Sequence, residues 1–314
     1  MTRDVALQIC QVFTTLLLAP LLHGIIVQFE ERVQRGQGPG IFQQYRDLWK
    51  LFHKQIVLPE TASWLYWVVP IVAFAAMLTV PMLIPVVTNF PLPLSDMGDL
   101  LGGGFILTLA SFMITLAGLD TGSAYGGVGS SRSVMISILG EPTLILVFVG
   151  ITLLAKSMLP FTTNHLLVGD PAVYWGPAHL FLVAAFFVLL LAETDKLPIH
   201  SSTHIEVYMI EEARILEYSG PLLALLRWAS TMKQFIFYTI FCNVLTIPWF
   251  LSVKGTTLGV IGAIIALMVK FTLVACAVVF VETVQARLRF YRYQEPLAAS
   301  FMLSVLAIIA TQIG

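Results

Sequence analysis

Apolar runs of about twenty residues, separated by shorter polar segments, set the pattern of this chain. Eight such runs can be read, at 5–28, 64–88, 98–118, 133–157, 178–195, 221–250, 258–282 and 296–313. A run of that length crosses the hydrocarbon core of a bilayer as a helix. No water is available there to satisfy backbone N–H and C=O groups, so a helix that closes its own bonds is the economical fold. The pattern predicts an all-α polytopic membrane protein with about eight transmembrane helices. No internal repeat, low-complexity tract or composition break divides it, so residues 1–314 read as one membrane domain. Its loops on one side are expected at 29–63, 118–132, 194–220 and 283–295.

The first of those loops carries a pattern of its own. Gly38-Pro39-Gly40 is a turn, because the residue before proline is pushed out of the helical region. From Ile41 onward, Leu48, Leu51 and Phe52 share one helical face and Arg46, Asp47 and Lys50 the other. This spacing predicts an amphipathic helix in the membrane interface. It serves either as a lipid-surface element or as a docking surface for a soluble partner.

Composition agrees with the spans. The chain is 58% hydrophobic and 11% charged with mean hydropathy +0.87, where a soluble domain carries about 25% charge. Its net charge of -1 offers no basic surface for nucleic acid. Cys10, Cys242 and Cys276 are scattered through apolar runs without metal-ligand spacing and read as small buried hydrophobes. The first run is too long for a cleavable signal and is followed by a basic loop, as a retained span would be.

Lysine and arginine orient the spans. Eleven (Arg32, Arg35, Arg46, Lys50, Lys54, Arg132, Lys196, Arg214, Arg287, Arg289 and Arg292) fall after the odd-numbered spans. Three (Arg3, Lys156 and Lys254) fall on the other side. Positive charge marks the cytoplasmic side, so both termini are expected outside.

Three constellations carry candidate chemistry. Gly118–Arg132, with five glycines, is expected as a loop, either flexible or compact and lining a cavity. It lacks the strand and the Gly-Lys-Ser/Thr of a phosphate-binding loop. Glu141, followed by Pro142, lies inside the fourth run. A carboxylate at that depth takes a proton or a partner, so it is either paired with Lys233 or Lys270 or is a protonatable relay site. Arg227 falls near the cytoplasmic end of the sixth run and can snorkel, whereas Lys233 lies deeper. The third constellation is Glu193–Gly220, with 6 of the 18 acids and 2 of the 6 histidines. His200 and His204 have the i, i+4 spacing of a metal pair, but Pro198 and Ser201-Ser202 oppose a helix there. A titrating or hydrogen-bonding role near neutral pH fits them better.

The segments GPGIFQQYRDLWKLFHKQ, GLDTGSAYGGVGSSR, ILGEP (138–142), ET.KLP (193–198), LEYSG (216–220) and ARLR (286–289) are spread along nearly the whole chain. Together they resemble the subunit 1 family of respiratory complex I. The closer likeness is to its branch in membrane-bound NiFe hydrogenases, of the formate hydrogenlyase and hydrogenase-4 type. The resemblance implies a heel subunit in a prokaryotic inner membrane that anchors a peripheral redox arm and couples it to ion movement. Partners would be hydrophilic hydrogenase-like large and small iron–sulfur subunits, antiporter-like membrane subunits and the lipid bilayer. Glu141, Glu193, Glu206, Glu211, Glu212, Glu217 and Lys233 would form the proton relay. Arg35, Arg46, Asp47, Lys50, Asp120, Arg132, His200 and His204 would face the peripheral arm.

Iron–sulfur clusters and a NiFe centre would belong to partner subunits, and the resemblance leaves a quinone site open. The chain itself has no cysteine cluster, dinucleotide fingerprint or nickel ligands, so no cofactor and no metal is expected in it. It reads as a non-catalytic subunit of an oxidoreductase complex. The family usually has arginine before Gly-Pro, where Gly36-Gln37 stands here, and aspartate after the Pro-Phe step, where Pro198-Ile199-His200 stands. Competing readings are a passive membrane anchor, a stand-alone secondary transporter and an intramembrane metalloprotease.

Overall fold

The computed structural model describes residues 2–33, 36, 38–95, 98–169, 171–196, 211–253, 255–284 and 294–313. Among the described residues, eight longer helices form the bundle: α1 (Thr2–Val33), α3 (Leu65–Leu83), α4 (Leu100–Asp120), α5 (Ala124–Ala155), α8 (Pro177–Glu193), α10 (Gly220–Thr239), α11 (Thr257–Val284) and α12 (Gln294–Ile313). Between them lie the short helices α2 (Gln43–Phe52), α6 (Pro160–Gly169), α7 (Pro171–Tyr174) and α9 (Glu211–Ile215). The chain is thus an all-α polytopic membrane protein. Six of the eight (α1, α3, α4, α5, α11 and α12) are long and apolar enough to cross a membrane by themselves. The other two differ for physical reasons. Helix α8 has 17 residues, or about 25 Å at 1.5 Å per residue. Helix α10 carries Arg227, Lys233 and Gln234.

Helix α10 is the axis of the bundle. It packs against α1, α2, α3, α8 and α11, and Met232, Phe235, Ile236 and Tyr238 on it are fully buried. Neighbouring helices hold this polar-punctuated helix along most of its length, while Arg227 stays exposed. Phe186, Phe237 and Phe241 stack between α8 and the end of α10 at centroid separations of 5.9–6.3 Å.

Beyond Thr239 the helix widens into a π-helical segment, Ile240–Thr246. The expected span to residue 250 therefore ends early. The freed carbonyl groups are met by side chains. Lys270 of α11 donates to Asn243 Oδ1 at 2.9 Å and to the carbonyls of Ile247 and Trp249 at 2.6 Å each. Asn243 Nδ2 donates to Pro85 and Val86, and Asn164 Nδ2 to Asn243. Both ring nitrogens of buried His179 face carbonyls, of Tyr174 at 2.8 Å and Leu245 at 2.9 Å. Lys270 is thereby engaged in pinning a helix break, so its expected pairing with Glu141 is not formed.

The opposite end carries the charged connections. Ser63 N–H donates to Asp120 at 2.9 Å, and Thr61 to the Thr121 carbonyl at 2.5 Å. Gly220 opens α10 with φ +58, and a Cβ there would stand 2.8 Å from the Gln55 carbonyl oxygen. The close approach of two backbones explains that glycine. The expected loop at 118–132 is reduced to Thr121-Gly122-Ser123. Ser123 caps α5 by accepting from Gly126 N–H at 3.0 Å, and Gly126, Gly127 and Gly129 lie in helix. A Cβ on Gly126 would meet the Gly118 carbonyl at 2.4 Å, so this glycine lets α4 and α5 touch.

Helix α2 forms as the sequence predicts. It packs on α1 and α10, burying Leu48 and setting Phe52 edge-on to Trp228. Arg46, Trp49 and Lys50 stay exposed.

Candidate functional site

Helix α8 ends in a turn that organises the buried charges. Lys196 N–H bonds the Leu191 carbonyl at 2.8 Å and Asp195 N–H that of Ala192 at 3.3 Å. Asp195 between them has φ +54. This is the Schellman arrangement, usually built on glycine; aspartate is among the few other residues that tolerate the left-handed region. Glu193 lies before the turn and Lys196 after it.

Glu193 Oε2 pairs with Lys233 Nζ of α10 at 2.7 Å, each side chain 14% exposed. Lys233 also donates to Ser111 of α4 at 3.3 Å and lies 5.9 Å from the Phe237 ring centroid. Glu141 of α5 stands beside this pair, with Glu193, Lys233 and Ser137 as its electrostatic and hydrogen-bonding neighbours. Two carboxyls thus face one ammonium. Gly140 of α5 faces Glu193 of α8; a Cβ there would lie 3.0 Å from Glu193 Oε1.

Two cavities lie between the charged end and the Glu193–Lys233 pair. A cavity of about 210 Å³ is bounded by His23, Gln44, Glu212, Arg214, Arg227 and Ser230 among others. A smaller one of about 30 Å³ is lined by Ser111, Ser133, Ser137, Glu193, Asp195 and Lys233. Arg214 borders both. It is buried and donates to Thr115 at 3.2 Å. By volume the smaller space accommodates about two waters.

The sequence-predicted residues divide. Glu141, Glu193 and Lys233 come together. Glu212 is exposed and lines the outer cavity. Glu217 lies near Tyr66, whose hydroxyl donates to the Glu217 carbonyl at 3.0 Å; it lines neither cavity. The adjacent Tyr218 stacks on Tyr66 at 4.2 Å, and burial pushes its phenol above the usual range. Asp120 ties α4 to the chain before α3, while Asp47 accepts from Gln43 at 2.9 Å within α2. Arg132 lies in α5, partly exposed. Arg35, Glu206, His200 and His204 fall outside the described residues, as does the side chain of Glu211. Among the described residues, no group of three or more His, Cys, Asp or Glu is placed to hold a metal ion.

Sequence reasoning missed Arg214 as the residue between the cavities. It also missed Glu30, Lys196 and Glu282, which lie at run ends, where charged residues read as snorkelling. Glu30 and Lys196 form a buried ion pair.

Comparison with known proteins decides the family. The model of the NADH dehydrogenase family matches residues 6–312. The chain belongs to that family. Formate hydrogenlyase subunit 4 of Escherichia coli (strain K12) is 32% identical over 278 residues, 87% of each chain. Hydrogenase-4 component C of the same organism is 31% identical over 303 residues, 95% of this chain and 93% of that one. The family member described here also shares its fold with a chain of the archaeal membrane-bound sulfane sulfur reductase. That match has TM-score 0.77 and covers 98% of both chains at 20% identity.

Proposed function

We propose that this chain is the membrane-anchoring, proton-coupling subunit of a complex I-like or membrane-bound hydrogenase complex in a prokaryotic inner membrane. Redox chemistry belongs to peripheral hydrogenase-like and iron–sulfur subunits, seated over α2 and the charged end. Antiporter-like membrane subunits complete the complex. The observation that carries the reading is the shared ammonium: Lys233 is bonded to Glu193 and faces Glu141 as well. Glu141, Glu193 and Lys233 are two acids and one base, with Asp195 and Arg214 lining the same small cavity, and a proton on either acid relieves the like-charge repulsion between them. A small shift of Lys233 or Glu193 changes which acid keeps that proton.

Arg214, which borders both cavities, links the group to the side where the arm would sit. Movement of that arm displaces the chain around α9, and Arg214 transmits the displacement. The energies are compatible. Moving one charge through 100 mV costs about 2.3 kcal/mol. A proton driven against roughly 150 mV therefore needs about 3.5 kcal/mol. One tenfold change in proton affinity is about 1.36 kcal/mol. Burial and a moving neighbouring charge together exceed that requirement.

Glu141→Gln keeps the shape and hydrogen-bonding capacity of the side chain but removes its charge and proton exchange. Coupled proton uptake in vesicles holding the assembled complex is expected to vanish, with assembly and arm binding intact. Unchanged uptake in that variant would leave only a passive anchor.

A further inference from the structure

The Glu193–Lys233 pair has a counterpart beyond the same turn. The Lys196 ammonium is bonded to the Glu30 carboxylate of α1, and both residues are buried. Glu282, near the end of α11, brings a second carboxyl, whose neighbours are Lys196 and Glu30. Its Oε2 is buried and has no hydrogen-bond partner among the described residues. Tyr238 of α10 is fully buried close to both carboxyls, and Cys242 is its other titratable neighbour. The Tyr238 hydroxyl also has no hydrogen-bond partner among the described residues.

The charges here do not balance either. Among the described residues, two carboxylates and one ammonium leave one negative charge where α1, α11 and the turn after α8 meet. An uncompensated buried charge is strongly unfavourable, and a proton on one carboxyl removes it. An unpartnered, buried carboxyl oxygen beside a second carboxyl suits a shared proton and not two anions.

We propose that Glu30, Lys196 and Glu282 form a second proton-holding site, with one exchangeable proton shared by the two carboxyls. Glu30 is three residues from the end of α1 and Glu282 two from the end of α11. Both lie towards the charged end, so exchange with that side crosses little hydrocarbon. The Schellman turn joins the site to the first one: its start holds Glu193 and its finish Lys196. Rearranging the turn alters both ion pairs together. Use of this proton in transport rests on the coupling reading above, but its presence does not.

Infrared spectroscopy of the assembled complex in H2O and D2O tests the proposal. At neutral pH the wild type is expected to show a protonated-carboxyl C=O band that shifts in D2O. In the wild-type-minus-variant difference spectrum, Glu282→Gln and Glu30→Gln should each lose one such component and leave that of the Glu141–Glu193 group, while Lys196→Met should retain it. A spectrum unchanged in both Gln variants would mean two ionised carboxylates and overturn the proposal. If the Gln variants fail to assemble, Glu282→Asp keeps the proton and must move the band; an unmoved band overturns it equally. No step of this test reads transport, so it can fail while the Glu141 result stands, and the reverse.

Discussion

Lys233 shows what single residues decide in this protein. Removing one partner of a buried pair leaves the other charge uncompensated, at a cost of about 3 kcal/mol. Lys233→Met is therefore expected to lower the apparent Tm of the detergent-solubilised complex markedly. Adding Glu193→Gln to it should restore much of the loss, because Glu141 is then the one acid left beside the site and a proton neutralises it. If the double variant is no more stable than Lys233→Met alone, the pair is not the dominant contact of Lys233. Glu141 and Lys233 were legible in the sequence, because any charge deep in an apolar run stands out. Their pairing was not. Whether Lys233 meets Glu141 or Glu193 depends on the rotation of α5, α8 and α10 about their axes, which no local pattern fixes. Glu30 and Glu282 escaped for a related reason: a charge near the end of a run looks solvated until a second helix is packed over it.

At the level of elements, apolar run length located the longer helices, six of which are long and apolar enough to cross a membrane, and the α2 stripe its buried Leu48. The errors came from glycine and from helix widening. The Gly118–Arg132 segment suggests a loop by composition, but its glycines Gly126, Gly127 and Gly129 lie in helix. Small residues that permit contact between helices look the same in sequence as small residues that permit disorder. The π-helical segment at Ile240–Thr246 has no sequence signal, because Lys270, Asn164 and Asn243, which stabilise it, are far apart in the chain. The turn after α8 is the most consequential element, since it sets Glu193 and Lys196. Asp195→Val puts a β-branched residue at φ +54, a conformation that costs an ordinary L-residue roughly 1–2 kcal/mol. That variant should lose proton coupling at unchanged expression, and Asp195→Gly should retain it. Equal coupling in the two variants would show that the turn's geometry is not what matters.

For the whole molecule, the two ends of the bundle differ in kind. Arg46, Lys50 and Arg214 gather at one end with Asp47, Asp120 and Glu212, and positive charge there predicts a cytoplasmic face. Alkaline phosphatase fused after Gly314 is therefore expected to be active, and the same reporter inserted between Lys54 and Thr61 inactive. The opposite pattern would invert the chain and place the candidate proton entrance outside. Burial at α10 could not be read from composition, because its Arg227, Lys233 and Gln234 make the most enclosed helix resemble a surface one.

The Lys270 clasp on the widened helix has a mechanical implication. One ammonium grips Asn243 and two carbonyls across α11 and the end of α10, and Asn243 reaches on to the chain after α3. That end of the molecule behaves as an anvil. A push delivered at the charged end meets resistance to sliding there, and the hollow packing that can take it up lies around Arg214 and the Glu193–Lys233 pair.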